Sequence, residues 1–150
     1  MSLYVTVGDD LKQAMKAGDV FKRDTLRLLQ SAIKNVAIEK RSVTTELPDA
    51  TVEDIIKKLV KQRKESITQY LAGGRADLAK QEESELVLLS EYLPEAMPEA
   101  ELHTLVKTTL KEAGIFSKDN MGQAMGASMR AVDGRASGDD VKRIVASLLS

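Results

Sequence analysis

Cysteine is absent from this chain, and histidine occurs only once, at His103. Without cysteine there can be no disulfide, no thiolate nucleophile and no zinc site built on thiolates. One imidazole cannot build a metal site, and no serine or carboxylate stands in an evident triad relation to His103. We therefore predict no metal and no nucleophilic catalytic centre, with His103 as a surface or boundary residue. A reducing compartment fits this composition, and we expect a cytoplasmic location.

The chain also lacks long apolar runs and a strong excess of charge. Its first residues, MSLYVTVGDDLK, have neither a basic start nor an apolar stretch, and no segment approaches the roughly 20 apolar residues of a membrane helix. We expect a soluble protein that is neither exported nor inserted into a membrane. The formal net charge of −1 argues against a dedicated double-stranded DNA binder, although a local basic patch can still form.

Glycine-rich phosphate-binding loops are missing as well. The sequence contains neither G-x-G-x-x-G nor G-x-x-x-x-G-K-[ST], so no cradle for a nucleotide is evident and no cofactor is predicted. Adjacent acids occur at Asp9 and Asp10, Glu82 and Glu83, and Asp139 and Asp140. Such pairs usually face water or lie at a helix N-terminus. We assign no catalytic residue.

What the sequence does contain is apolar spacing of three and four residues in nearly every segment, with no sustained alternation. This predicts an all-α protein. Asp19 is predicted to begin a long second helix, and Thr51 to cap the third, which ends at Gly73-Gly74 after a loop at 41–50. The other predicted helices cover 9–17, 75–93, 98–113, 119–132 and 138–150.

Pro94 and Pro98 interrupt this helical pattern. Proline cannot continue a helix interior, but it fits the first turn of a new helix. We therefore predict two subdomains: an N-terminal helical domain at 1–94 and a C-terminal three-helix bundle at 95–150.

One charged residue, Arg63, falls on the apolar stripe of the third predicted helix. Glu82 holds a matching position on the next helix. If the two helices pack antiparallel across the Gly73-Gly74 turn, an Arg63–Glu82 pair would fix their register. Two alternatives stay open, namely that Glu83 is the partner or that Arg63 extends its stem to solvent.

Two further groups of residues carry predictions. Lys57, Lys61 and Lys64 form the densest basic patch, with Arg75 as a further candidate member; the patch is either a solvated face or a docking surface for phosphates or an acidic partner. Gly122 and Gly126 accompany a methionine stripe in the C-terminal region. We expect these glycines to let a neighbouring helix approach closely.

Taken in order, several segments resemble the GatB/YqeY family over nearly the whole chain. They are LRLLQSAIKN at 26–35, KQRKESITQYLAGGRADLAKQEESEL at 61–86, YLPEAM at 92–97, NMGQAMGA at 120–127 and GRASG at 134–138. Together these segments are highly specific. The resemblance implies a larger helical N-terminal subdomain and a three-helix C-terminal one.

The resemblance also implies kinship with the helical and tail regions of GatB, one component of the tRNA-dependent amidotransferase, which uses glutamine as nitrogen donor. In that enzyme the GatB tail reaches the tRNA, while the kinase-like domain of GatB and a separate amidase component perform the chemistry. This chain resembles neither catalytic part. A carbon–nitrogen ligase label would therefore be inherited from the family, and autonomous catalysis is not expected.

The tail departs from the family pattern at charged positions. The family commonly reads Lys-Asp-Met-Gly-Lys and Gly-Arg-Ala-Asp-Gly-Lys, where this chain has DNMGQ at 119–123 and GRASGD at 134–139, so three basic residues are missing. Each lost phosphate contact lowers salt-sensitive affinity. The remaining candidate phosphate contacts, including two from the N-terminal half, are Lys118, Arg130, Arg135, Lys142, Arg143, Lys61 and Lys64.

Two hypotheses for function follow. The first is an accessory module that binds tRNA, or a complex carrying tRNA, through a compact cationic spot formed by Lys118, Arg130 and Arg135. The second is a protein-interaction adaptor whose amphipathic grooves bind a partner helix without any nucleic acid.

Overall fold

The computed structural model describes all 150 residues, and it contains seven α-helices, one short 3-10 helix and no strand. The predicted all-α class is confirmed. The α-helices are α1 Leu3–Ala17, α2 Val20–Glu39, α3 Asp49–Ala72, α4 Ala76–Ser90, α5 Glu99–Ala113, α6 Met121–Val132 and α7 Gly138–Leu148, and the 3-10 helix is Lys118–Asn120. None of the helices is both long enough and apolar enough to cross a membrane.

Local capping chemistry sets several of the helix ends. Asp19 accepts a hydrogen bond from the backbone N–H of Lys22 at 3.1 Å and caps α2, as its sequence position predicts. Gly18 ends α1 in the left-handed region, with a φ of 71°. Two predicted starts were wrong. Helix α1 begins six residues early because Ser2 caps it, and α3 begins at Asp49 after Pro48 rather than at Thr51.

The chain divides into two compact units, Met1–Leu93 and Pro94–Ser150. Each unit has its own cluster of buried apolar side chains. Whether the two units fold independently, as the predicted domains 1–94 and 95–150, stays a prediction.

The first unit contains α1 to α4. Its fully buried side chains come from all four helices and include Val7, Leu26, Leu29, Ile33, Ile56 and Leu89. Helices α3 and α4 form an antiparallel hairpin around Gly73 and Gly74, and Gly74 has a φ of 73° that favours glycine.

The second unit contains α5, the 3-10 helix, α6 and α7. Its core is made by Val106, Ala124, Val132, Val141 and Val145, none of which exposes more than 1% of its surface. Ser137 caps α7 by accepting a hydrogen bond from the backbone N–H of Asp140 at 3.1 Å.

Tyr92 ties the end of the first unit to α1, since its hydroxyl donates a 2.6 Å hydrogen bond to Asp10 Oδ2. Burial raises the pKa of Tyr92, and the hydrogen bond to the Asp10 carboxylate raises it further. The folded chain therefore favours the neutral phenol. The resulting stabilisation is complete below the ordinary tyrosine pKa of 10.0 and is lost progressively above it.

We expect Tyr92→Phe to remove this pH dependence. The free energy of unfolding, measured by urea titration at about pH 8, 9, 10 and 11, should fall more steeply in alkali for the unsubstituted chain than for the variant. Tyr4, whose hydroxyl contacts Thr45 at 2.9 Å, supplies the matched control Tyr4→Phe. Parallel alkaline curves for the unsubstituted chain and Tyr92→Phe would contradict the prediction.

Candidate nucleic-acid interface

The lysines of α3 form an exposed face on the first unit. Lys57, Lys61 and Lys64 follow at steps of four and three residues, which places them on one side of a helix over about 10 Å of its axis. The buried residues of α3, among them Ile56 and Leu59, lie on the other side. Lys61 and Lys64 are exposed, and Lys57 is half-buried. We call these three residues the lysine face.

Every ion pair in the structure involves an arginine. No acidic side chain therefore lies within 4.0 Å of an ammonium group of the lysine face. Arg75, near the hairpin turn, is committed to Asp77 through two hydrogen bonds of 3.2 Å. That guanidinium lowers the pKa of Asp77. The lysine face therefore offers three positive charges without a direct ion pair to an anionic ligand.

The members of the predicted cationic spot of the second unit come from three places, the 3-10 helix, α6 and the loop after α6, and its compactness stays a prediction. Lys118 lies in the 3-10 helix before α6, whereas Arg130 lies in the last turns of α6. About 14 Å of helix axis separates Met121, the first residue of α6, from Arg130. Lys118, Arg130 and Lys142 are exposed or half-buried and make no ion pair.

The two remaining arginine candidates have acidic partners. Arg135 Nη1 lies 3.4 Å from Glu101 Oε1, and its Nε donates to the backbone carbonyl of Glu95 at 3.3 Å. Arg143 Nη1 lies 2.6 Å from Glu99 Oε1, and the Glu99 carboxylate raises the pKa of Arg143. Sequence patterns do not reveal these pairs, because more than 30 residues separate the partners along the chain.

Arg63 is buried, as expected for a residue that fixes the register of two helices, but the prediction of Glu82 as its partner was wrong. Its Nε lies 3.4 Å from Oε2 of Glu85, and neither Glu82 nor Glu83 comes within 4.0 Å. Arg63 is nine residues before the end of α3 at Ala72, and Glu85 is nine residues after the start of α4 at Ala76. These equal distances from the turn bring the two side chains to the same level of the hairpin.

The contact between Arg63 and Glu85 is an ion pair without hydrogen-bond geometry. Arg63 Nε is buried and has no hydrogen-bond partner, although the Glu85 oxygen is close enough for a strong Coulombic attraction. Nη1 donates weakly to the carbonyl of Leu59 at 3.5 Å. The pair is thus a structural element of the hairpin and not part of the exposed lysine face.

The predicted role of Gly122 and Gly126 was also wrong. A Cβ atom at Gly122 would meet nothing within 4 Å, and one at Gly126 would meet Arg130 Nη1 at 3.5 Å. No other helix of the second unit therefore approaches these glycines. The open surface beside Gly126 is instead covered in part by the guanidinium of Arg130.

No three or more His, Cys, Asp or Glu side chains come close enough together to hold a metal ion. His103 is exposed on α5. The acids at Asp139 and Asp140 lie in the first turn of α7, where the helix dipole favours negative charge.

The geometry defines a class of all-helical protein with exposed lysines and arginines on its helices. The family model described as "Yqey-like protein" matches residues 5–149. The chain therefore belongs to the YqeY-like family.

Two curated relatives are both called "Altered inheritance of mitochondria protein 41, mitochondrial". The protein from Vanderwaltozyma polyspora is 43% identical over 106 residues, which cover 69% of this chain and 56% of the relative. The protein from Lachancea thermotolerans is 34% identical over 133 residues, which cover 87% of this chain and 68% of the relative. The chain thus spans roughly half to two thirds of the length of these relatives, whose names assign them to mitochondria.

Proposed function

We propose that this chain is a non-catalytic accessory module that engages tRNA, or a complex that carries tRNA. The observation that carries this proposal is the lysine face of α3, with three ammonium groups on one side of a helix and no acidic partner. Phosphate contacts from such lysines supply affinity without reading sequence. Folded RNA would then be recognised by its shape.

The exposed cations of the second unit would add further phosphate contacts. Arg130 is available directly because it is exposed and makes no ion pair. Arg135 and Arg143 are paired, but their side chains expose 38% and 56% of their surface. Exposed ion pairs stabilise a protein only weakly, so a phosphate can compete for either guanidinium. Their contribution to binding is accordingly smaller than that of an unpaired arginine.

The resemblance to GatB of the tRNA-dependent amidotransferase supports the same proposal. The tail of GatB reaches tRNA, whereas the chemistry of that enzyme belongs to domains that this chain does not resemble. A link to carbon–nitrogen ligation with glutamine as nitrogen donor would then be indirect, through a complex that performs the reaction. A cytoplasmic location for this chain is part of the proposal.

Replacing the lysine face should weaken tRNA binding strongly. We expect the triple variant Lys57→Gln, Lys61→Gln, Lys64→Gln to bind bulk tRNA about 10- to 100-fold more weakly at low salt. The slope of log affinity against log salt concentration should fall in magnitude by about 2. Fluorescence anisotropy with labelled tRNA, titrated between about 20 and 200 mM salt, measures both quantities.

The matched control removes three lysines from other exposed positions of the same unit, as Lys12→Gln, Lys16→Gln and Lys40→Gln. It changes the net charge equally and should cost less than about threefold in affinity. Equal losses of tRNA affinity in the two triple variants would contradict a role for the lysine face, because they would show only nonspecific charge attraction. Undetectable binding of tRNA by the unsubstituted chain at low salt would refute the proposal outright.

The alternative function, a protein-interaction adaptor, is favoured by a different observation. The second unit contains an open groove of about 800 Å³ beside α5. An adaptor would use this groove and would not need the lysine face.

A further inference from the structure

The groove of the second unit lies between the first turns of α5 and the C-terminal end of α6. Its accessible apolar surface is supplied by Met97 and Leu105, because Val132 beside them in the lining is buried. Met97 and Leu105 are partly buried against the core, so they remain accessible from the groove side. We refer to this surface as the α5–α6 groove.

The dimensions of the α5–α6 groove suit a short helix. From Ala100 to Thr108 the α5 wall runs for about 12 Å, which is a little over two helical turns. The residues facing the groove along this wall and on α6 are mostly small, as Ala100, Thr104, Thr108 and Ala131. Small side chains let the backbone of a second helix come close, and a helix in an apolar groove is a common mode of peptide recognition.

One end of the groove is held rigidly by Arg135. Its backbone carbonyl accepts a hydrogen bond from the N–H of Met97 at 2.9 Å, and its side chain binds both the Glu95 carbonyl and the Glu101 carboxylate. These bonds join the segment before α5 to the loop after α6. A groove that is formed before binding loses less entropy when its ligand arrives.

The charges around the α5–α6 groove select the occupant. The charge of Glu101 is compensated by Arg135 at 3.4 Å, whereas Asp133 is exposed and has no cationic partner. Asp133 is also the C-cap of α6, with a φ of 48°. The helix dipole is negative at this end, so a carboxylate here is unfavourable and a cation is favoured.

We propose that the α5–α6 groove binds an amphipathic helix of two to three turns from a protein partner, with a lysine or arginine of that helix meeting Asp133 at the end of α6. The apolar side of the partner helix covers Met97 and Leu105. This binding site is separate from the lysine face and does not depend on RNA binding.

The test uses the full chain and a displayed library of helical 14-residue peptides. Peptides that bind should share apolar residues at spacings of three and four together with a lysine or arginine near one end. Thr104→Lys, which fills the groove, should weaken the binding of these peptides at least about tenfold. Ala146→Lys on the exposed surface of α7 adds the same charge, and more bulk, away from the groove, and it should change affinity less than about twofold.

A charge exchange tests the contact with Asp133. Asp133→Lys should weaken a selected peptide about fivefold or more, and replacing the basic residue of the peptide with glutamate should restore the loss. Peptides that bind Thr104→Lys undiminished, or that lack a basic residue, would overturn the proposal. So would displacement of the peptide by tRNA, or a concentration-dependent dimer of this chain that Thr104→Lys abolishes, because either would assign the groove to another occupant.

Discussion

Replacing Glu85 with alanine is expected to lower the free energy of unfolding of the first unit by about 2 kcal/mol. The change leaves the buried guanidinium of Arg63 without its counter-ion, which is costly in a low-dielectric environment. Fully buried pairs typically lose about 3–5 kcal/mol in this way. We expect less because the Glu85 side chain keeps 20% of its surface exposed, so water can partly solvate Arg63. Urea titration followed by circular dichroism measures the loss.

Glu82→Ala is the matched control, because Glu82 lies one turn earlier on α4 and makes no ion pair with Arg63. It should change the free energy of unfolding by less than about 0.5 kcal/mol. The double variant Arg63→Met, Glu85→Leu should recover most of the stability, since apolar residues can replace a buried pair at little cost. A larger loss of unfolding free energy for Glu82→Ala than for Glu85→Ala would contradict this assignment and favour the Arg63–Glu82 pair predicted from the sequence.

Ile144→Ala is expected to destabilise the second unit by about 3 kcal/mol. Ile144 exposes 2% of its surface in the core of this unit, so the substitution removes apolar burial and leaves a cavity. A domain of about 60 residues is marginally stable to begin with. We therefore expect much of the second unit to unfold at 37 °C, seen as lost amide hydrogen-exchange protection across α5, α6 and α7.

The same measurement tests the predicted domain division. Amide protection in α1 to α4 should remain unchanged in Ile144→Ala if residues 1–94 and 95–150 fold as separate domains. Leu29→Ala in the first core supplies the reciprocal experiment, since Leu29 is fully buried among α1 to α4. Loss of protection throughout the chain in either variant would show a single cooperative unit instead.

The lysine face and the paired arginines show how far sequence reasoning reaches at the surface. Helical spacing alone places Lys57, Lys61 and Lys64 on one side of α3, because positions four and three residues apart are neighbours on any α-helix. No such rule connects Arg135 with Glu101. Their pairing depends on how α5 and the loop after α6 meet in space, which the sequence does not show. Because of this pairing, Arg135 is not a freely available phosphate contact.

The glycines of α6 show a second limit of reasoning from helical spacing. Gly122 and Gly126 have the spacing of a helix-packing surface, yet the side that they occupy faces open space. Spacing defines which residues share a side of a helix, but not whether another helix covers that side. The α5–α6 groove beside Asp133 was likewise not evident in the sequence, since its lining comes from two separate stretches of the chain, 97–108 and 131–135.

By itself the sequence determined the all-helical class, the helix that begins after Asp19, the break at Pro94 and Pro98, and the membership suggested by its motifs. These features depend on capping groups, prolines and apolar spacing within a few residues, where local chemistry decides the outcome. Only the tertiary structure decided that Arg63 meets Glu85, that Arg135 and Arg143 have acidic partners, and that a groove forms beside Asp133. Those contacts join residues distant in the chain, and their partners are set by where each helix begins and ends and by which sides the cores bury.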